Sequence, residues 1–143
     1  MNYLFVCTGN TCRSPMAEGF LKKRICEANL PHTAFSRGIM AFDNMGASEN
    51  AVLAAKKLGA DISQHLSHML TDNDVLAADV ILTMTISHKN AVLSAFPAAK
   101  NKVYTLGEYT EDNSDIPDPF GADINIYLKC AEKINSLIGK IKL

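Results

Sequence analysis

The stretch Val6-Cys7-Thr8-Gly9-Asn10-Thr11-Cys12-Arg13-Ser14-Pro15 decides the fold of this chain. It follows an apolar run at residues 3–6, which predicts a short buried strand. It ends in Ser14-Pro15, which predicts a helix with Ser14 as its N-cap and Pro15 as its first residue. A strand, a short polar loop and a helix in this order bring the backbone N–H groups of the loop to a helix N-terminus. The stretch therefore predicts an anion-binding loop.

The side chains of this loop suit the transfer of a phosphoryl group. The helix dipole, the loop N–H groups and Arg13 all favour the thiolate form of Cys7, which is a nucleophile. The guanidinium of Arg13 matches two oxygens of a phosphoryl group. Ser14 can donate to the thiolate, and Gly9 allows torsions that other residues resist. A plain turn with a buried structural cysteine is the alternative, but it explains neither Arg13 nor the small polar residues around it.

Residues 7–18, Cys-Thr-Gly-Asn-Thr-Cys-Arg-Ser-Pro-Met-Ala-Glu, resemble the phosphate loop of the low-molecular-weight protein tyrosine phosphatase family. Further similarity extends over nearly the whole chain. The resemblance implies that Cys7 is the nucleophile and that Arg13 stabilises the transferred group. It also implies that the remaining loop residues bind phosphate, namely Thr8, Gly9, Asn10, Thr11, Cys12 and Ser14.

A second motif, Ile116-Pro117-Asp118-Pro119-Phe120-Gly121, predicts the proton donor. Each proline restricts itself and the residue before it, so Asp118 is stiffly placed between the two. An ordinary turn has the same composition, but the motif resembles the Asp-Pro loop of the same family, where the Asp is the general acid. The hypothesis is a two-step reaction in which Cys7 attacks phosphorus while Asp118 protonates the leaving atom. Water then hydrolyses the cysteinyl-phosphate, with Asp118 as the base.

The resemblance also implies two residues that support the loop. Ser36 would join the hydrogen-bond network that holds the loop, and His65 would orient Asn10. The family usually has Ala after this serine, whereas Arg37 stands here and would add a charge near the expected entrance to the site.

We expect His88, in the predicted third long helix, to lie on the surface.

The rest of the pattern predicts an α/β fold. Four strand-like runs alternate with helices, which favours a parallel sheet covered on both faces. Only the resemblance implies the strand order 2-1-3-4 of a doubly wound, four-stranded sheet. The strands are predicted at residues 3–6, 33–36, 79–84 and 102–106, and the helices at 15–27, 47–58, 71–76, 87–96 and 123–140.

Length and composition limit the remaining possibilities. The 143 residues, 48% of them hydrophobic, predict a single domain over residues 1–143. A net charge of −1 argues against nucleic-acid and anionic-membrane partners. No apolar run approaches membrane-spanning length, and residues 1–6 are too short for a signal peptide, so we expect a cytoplasmic protein. The cysteines at 7, 12, 26 and 130 have no metal-site spacing. We expect a monomer without metal or cofactor that acts on phosphorylated proteins.

Thr11 bears on the choice of substrate. Tyrosine-specific members of the family usually carry a larger aliphatic residue at this position. Members that act on phosphoarginine carry Thr there, together with a loop like Asp118-Pro119-Phe120-Gly121. A small hydroxyl-bearing side chain leaves room for a planar guanidinium, whose charge Asp118 and the ring face of Phe120 can meet. The sequence favours a protein-arginine phosphatase, with a tyrosine phosphatase as the alternative.

Two other functions fit the loop less well. Arsenate reductases share the loop and fold but need further cysteines after the third strand, and residues 77–101 contain none. An inactive phosphate-binding module would not need Cys7, Arg13 and Asp118, which are all present.

Overall fold

The structure, a computed structural model, describes residues 1–143. The chain alternates strands and helices, as the sequence pattern predicts, and a 3₁₀ turn at Pro97–Ala99 follows the fourth helix. No helix has both the length and the apolar character that crossing a membrane would need. In chain order the elements are β1 (Asn2–Cys7), α1 (Arg13–Glu27), β2 (Thr33–Gly38), α2 (Glu49–Lys57), α3 (Asp72–Ala77), β3 (Val80–Thr83), α4 (Ile86–Ala95), β4 (Val103–Thr105), α5 (Leu106–Tyr109) and α6 (Ile124–Gly139).

The four strands form one parallel sheet in the order β2-β1-β3-β4, so the predicted order 2-1-3-4 is confirmed. The central strand β1 pairs with β2 from Asn2 opposite Thr33 to Cys7 opposite Gly38. On its other side it pairs with β3. The chain leaves β1 toward one edge of the sheet and later returns to the other edge. This reversal opens a crevice at the carboxyl end of β1, where Cys7 lies.

Successive side chains of β1 point to opposite faces of the sheet, and each face has its own hydrophobic cluster. Tyr3 and Phe5 belong to the larger cluster, which also contains apolar residues of α1, α2 and α6. Leu4 and Val6 belong to a smaller cluster with residues of α3 and α4. Both faces of β1 are therefore covered, which explains why its sequence is continuously apolar rather than alternating.

The start of α1 differs from the prediction. The helix begins at Arg13, and its N-cap is Cys12, whose side chain makes no capping hydrogen bond. The prediction that Ser14 is the N-cap is wrong, because Ser14 lies inside the first turn and is fully buried. Pro15 is tolerated there because the first N–H groups of a helix have no partner within the helix. The hydroxyl of Ser14 is consequently free to bind the loop.

Side-chain capping defines most other helix starts. Thr71 caps α3 by accepting from the backbone N–H of Asp74. Ser48 caps α2, which therefore begins two residues later than predicted. Thr105 and Glu108 form a capping box around α5, a four-residue helix that the sequence pattern does not predict.

Candidate active site

The loop between β1 and α1 is held from inside by Asn10. This residue is fully buried and has a φ of 57°, a left-handed conformation that Asn tolerates better than most residues. Its Nδ2 donates to Ser14 Oγ at 2.8 Å and to Ser36 Oγ at 2.9 Å. Its Oδ1 accepts from the backbone N–H of His68 at 3.0 Å. One side chain thus joins the loop to α1, to β2 and to the segment that follows α2.

Two predicted supporting residues lie against Asn10. His65 places Nε2 2.7 Å from the carbonyl oxygen of Asn10. Ser36 donates its hydroxyl proton to Glu18 Oε1 at 2.6 Å while it accepts from Asn10. Glu18 belongs to α1, within the motif that resembles the family loop, but its contact was not predicted.

Gly38 lets the end of β2 approach the loop closely. A Cβ at this position would lie 2.6 Å from the carbonyl oxygen of Thr8 and 3.0 Å from the backbone nitrogen of Asn10. The two residues after Gly38 donate backbone N–H groups to the carbonyls of Cys7 and Thr8, at 3.0 and 2.9 Å. A larger residue at this position would push these hydrogen bonds apart.

The sulfur of Cys7 is buried and lies 2.9 Å from Ser14 Oγ. The same oxygen accepts from Asn10 Nδ2, which leaves the hydroxyl proton of Ser14 available to the sulfur. When Cys7 is ionised, Ser14 is therefore a donor to the thiolate. A charge-assisted hydrogen bond of this kind stabilises the negative form.

Arg13 and Asp118, 105 residues apart in sequence, meet beside this loop. Arg13 is buried and donates from Nη1 to the carbonyl of Ile116 at 2.8 Å. Its Nη2 lies 3.7 Å from Asp118 Oδ2, and the Asp118 side chain is 53% exposed. Asp118 Oδ1 accepts from the backbone N–H of Phe120 at 3.0 Å, and Phe120 itself is 77% exposed. The structure thus brings the predicted acid and the predicted phosphate ligand together at a solvent-accessible edge.

A family model described as "Low molecular weight phosphotyrosine protein phosphatase" matches residues 2–142. The chain belongs to this family. Its strand order and the position of its loop agree with that assignment.

Individual relatives of this phosphatase agree on the reaction class and differ in specificity. The chain is 38% identical to a protein-arginine-phosphatase of Bacillus subtilis over 142 residues, which are 99% of this chain and 94% of the relative. It is 42% identical to the low molecular weight protein-tyrosine-phosphatase PtpB of Staphylococcus aureus, over 99% of this chain and 97% of the relative. The family and both relatives make the chain a phosphoprotein phosphatase.

A solved structure of a relative bears on the mechanism of this phosphatase. The YwlE arginine phosphatase has been solved as a cysteine-to-serine variant with a phosphorylated active-site serine. It matches with a TM-score of 0.94 and 37% identity, covering 98% of this chain and 92% of the other. A phosphoryl group held covalently at the cysteine position supports a cysteine-dependent reaction.

Cys12 of this phosphatase directs its side chain into the protein. Its sulfur lies 3.4 Å from both Ser48 Oγ and Tyr127 Oη. Burial, and next the hydrogen bond with Cys12, raise the pKa of Tyr127, so this hydroxyl stays neutral. The backbone N–H of Ser48 donates to the carbonyl of Thr11 at 2.9 Å. The starts of α2 and α6 therefore hold the far side of the loop.

The prediction that His88 lies on the surface is wrong. Its side chain is 5% exposed and places Nε2 2.8 Å from Thr8 Oγ1. Burial, followed by the positive charge of Arg13, lowers its pKa to about 4, so the ring is neutral at pH 7. Its Nδ1 is buried and has no hydrogen-bond partner. The helical pattern could not show this, because it places His88 on α4 without showing that α4 packs against the loop.

Arg37 does not present a free charge. Its Nε donates to Asp74 Oδ2 at 3.0 Å, Nη1 donates to the carbonyl of Ser36, and the guanidinium lies 5.2 Å from the ring centre of Phe35. Asp74, in α3, neutralises it, so the expectation of an added charge at the mouth is wrong. The structure contains no cluster of three or more His, Cys, Asp or Glu side chains that could hold a metal ion.

Proposed function

We propose that this phosphatase hydrolyses phosphoarginine in proteins, with Cys7, Arg13 and Asp118 as its catalytic residues. The observation that carries the choice of substrate is Thr11. Its small side chain lies beside the loop glycine, with Oγ1 3.8 Å from where a Cβ on Gly9 would be. A side chain of this size would leave more room for a flat cation than a larger aliphatic residue would, and its hydroxyl oxygen could accept an N–H.

The charges around the mouth suit a cationic leaving group. Asp118 already faces one guanidinium, that of Arg13, and its exposed carboxylate is accessible to a second. The exposed ring of Phe120 can stack on a guanidinium, an interaction worth ~0.5–2 kcal/mol. The ionised carboxylate would attract a cationic substrate before Asp118 takes up the proton that it donates in the reaction. The aryl ring of phosphotyrosine carries no positive charge, so these features favour arginine over tyrosine.

In the proposed mechanism the thiolate of Cys7 attacks phosphorus and the P–N bond breaks. Asp118 gives its proton to the departing guanidino nitrogen, and a cysteinyl-phosphate forms. Arg13, whose position is set by the carbonyl of Ile116, and the N–H groups of the loop stabilise the charge on the phosphoryl oxygens. Water then attacks phosphorus while Asp118 takes its proton, and the S–P bond breaks to release phosphate.

The remaining residues of the site would act through hydrogen bonds of their side chains and of the loop backbone. Asn10, Ser36 and His65 would keep the loop in its binding shape through the hydrogen bonds described above. Ser14 would stabilise the thiolate. The phosphate-binding N–H groups would come from residues 8–14.

A tyrosine phosphatase is the second candidate, favoured by the similarity to PtpB. The same residues would serve the same two steps with a phenol as leaving group. The two functions differ in whether the leaving group that the site accommodates is a cationic guanidinium or a phenol. Substitution of Thr11 tests this difference.

The test is turnover on two peptides of one sequence, one carrying phosphoarginine and the other phosphotyrosine. We expect the wild type to prefer phosphoarginine. Thr11→Ile should shift the ratio of kcat/KM toward phosphotyrosine by about tenfold or more, because the larger side chain fills the guanidinium space. Cys7→Ser should abolish both activities. Thr33→Ile makes the same chemical change at an exposed strand position and should leave the ratio unchanged. A wild type that prefers phosphotyrosine would show that the enzyme is a tyrosine phosphatase.

We also propose that residues 1–143 act as a single-domain monomer in the cytoplasm, where a reducing environment preserves the thiol of Cys7. Both hydrophobic clusters share the strands of one sheet, which supports one cooperative unit. Light scattering should give a mass near 15.5 kDa, and a mass near twice that value would contradict the monomer.

A further inference from the structure

Thr8 and His88 form a hydrogen-bonded pair at the edge of the loop that follows Cys7. Nε2 of His88 lies 2.8 Å from Oγ1 of Thr8. His88 is buried, whereas Thr8 remains partly exposed, so Thr8 is the residue of the pair that reaches solvent. The proposed mechanism uses neither side chain.

Charged side chains near the loop act on the ring of His88. The charges of Arg13, Asp118 and Asp115 all act on it, the first opposing its protonation and the other two favouring it. Burial has the largest effect, and the pKa falls to about 4. The imidazole ring that contacts Thr8 is therefore uncharged at neutral pH.

A neutral His88 leaves acceptor capacity on Thr8 whichever ring nitrogen carries the proton. If Nε2 carries it, the ring donates to Oγ1 and uses one of the two lone pairs of that oxygen. If Nδ1 carries it, the hydroxyl donates to Nε2 and both lone pairs stay free. In either case Oγ1 can accept an N–H from a ligand that enters beside Cys7, and the ring restricts the rotation of the hydroxyl.

We propose that Thr8 and His88 are a specificity-determining pair in which Thr8 accepts an N–H of a guanidinium leaving group and His88 positions its hydroxyl. The inference rests on the proposed function, because it concerns how the same site would recognise phosphoarginine. A phenol leaving group has no N–H to donate, so the pair should favour phosphoarginine selectively. A cation in place of the neutral ring would instead repel the guanidinium.

The experiment measures kcat and KM on matched phosphoarginine and phosphotyrosine peptides for the wild type and four variants. Thr8→Val keeps the shape of the side chain and removes the acceptor, so the arginine-to-tyrosine ratio of kcat/KM should fall about tenfold. His88→Leu removes the partner of Thr8 and should lower the ratio about threefold or more. His88→Gln can place an amide near the position of Nε2 and should restore the ratio to within about twofold. Thr33→Val is the matched control at an exposed strand position and should not change the ratio.

A purely structural role would lower both activities in parallel and would not be rescued by Gln. Ratios in Thr8→Val and His88→Leu that equal the wild-type ratio would overturn the inference while the proposed function stands. A wild type without phosphoarginine turnover would overturn both. If His88→Leu does not fold, Thr8→Val and His88→Gln still decide the question, because an unchanged ratio in Thr8→Val alone contradicts the role of the hydroxyl.

Discussion

Ser14 holds its hydroxyl oxygen 2.9 Å from the sulfur of Cys7, from inside the first turn of α1. Both side chains are buried, and the oxygen also accepts from Asn10. The contact couples the loop conformation to the surroundings of the Cys7 sulfur, because displacing Asn10 would also displace the hydroxyl that contacts the sulfur.

Ser14→Ala should slow the enzyme and weaken the fold. The thiolate loses a charge-assisted hydrogen bond worth about 1.5–3 kcal/mol, so we expect kcat to fall about 10- to 100-fold. Asn10 is left with a buried N–H that has no partner, which should cost about 1–3 kcal/mol of unfolding free energy. Steady-state kinetics, the pH dependence of alkylation of Cys7, and urea unfolding measure these effects. Ser94→Ala, at an exposed position of α4, should behave as wild type. Wild-type kcat in Ser14→Ala would refute the role of this hydroxyl.

Asp118→Asn should remove the proposed general acid and base. We expect kcat on phosphorylated peptides to fall about 10²- to 10⁴-fold, with a smaller loss on an aryl phosphate whose leaving group needs no proton. Stability should change by less than about 1 kcal/mol, because the Asp118 side chain is 53% exposed and its ion pair with Arg13 is 3.7 Å long. Asp72→Asn, an exposed carboxylate in α3, is the control. Equal losses on both kinds of substrate would argue against proton donation by Asp118.

Cys12 should protect Cys7 from irreversible oxidation. Hydrogen peroxide converts the Cys7 thiolate to a sulfenic acid, and attack by the Cys12 thiol would form a disulfide and release water. The sulfur of Cys12 now faces Ser48 and Tyr127, so it must rotate first. Mass spectrometry after peroxide should find a Cys7–Cys12 link and recoverable activity in the wild type.

The matched variants make this prediction specific. Cys12→Ser should accumulate sulfonic acid on Cys7 and lose activity permanently. Cys26→Ser removes an exposed cysteine away from the loop and should respond to peroxide as wild type does. Sulfonic acid on Cys7 of the wild type without any link would contradict the protective role.

His88 should make the fold less stable in acid. Its pKa is lowered from 6.5 to about 4 in the folded protein, so between these values the unfolded state binds the proton more readily. The contribution of His88 is complete above pH 6.5 and is lost as the pH falls to about 4, a loss on the order of 3 kcal/mol. Urea unfolding of the wild type and of His88→Gln across this range measures it. The unfolding free energy of the wild type minus that of His88→Gln should decrease as the pH falls from 6.5 to about 4. A difference that stays constant would show that His88 does not titrate in this range.

Much of the architecture follows from local patterns. The apolar run of β1, the polar loop and the helix after it predict a strand-loop-helix unit because each pattern concerns neighbouring residues. The alternation of such units predicts a parallel sheet with helices on both faces, although the order of the strands needed the family resemblance. Element boundaries differ from the predicted ones by at most two residues, and capping side chains such as Ser48 determine where the first turn begins.

The sequence by itself determined the presence of the loop from Cys7 to Arg13 and of the carboxylate between two prolines, because both motifs depend on residues close together in the chain. Only the tertiary structure decided that Ser14 binds the sulfur instead of capping α1, that Arg37 pairs with Asp74, and that His88 lies behind Thr8. The physical reason is distance along the chain: His88 and Thr8 are 80 residues apart. Packing of α4 against the carboxyl end of the sheet, which no local pattern encodes, brings them into contact and removes the ring from water.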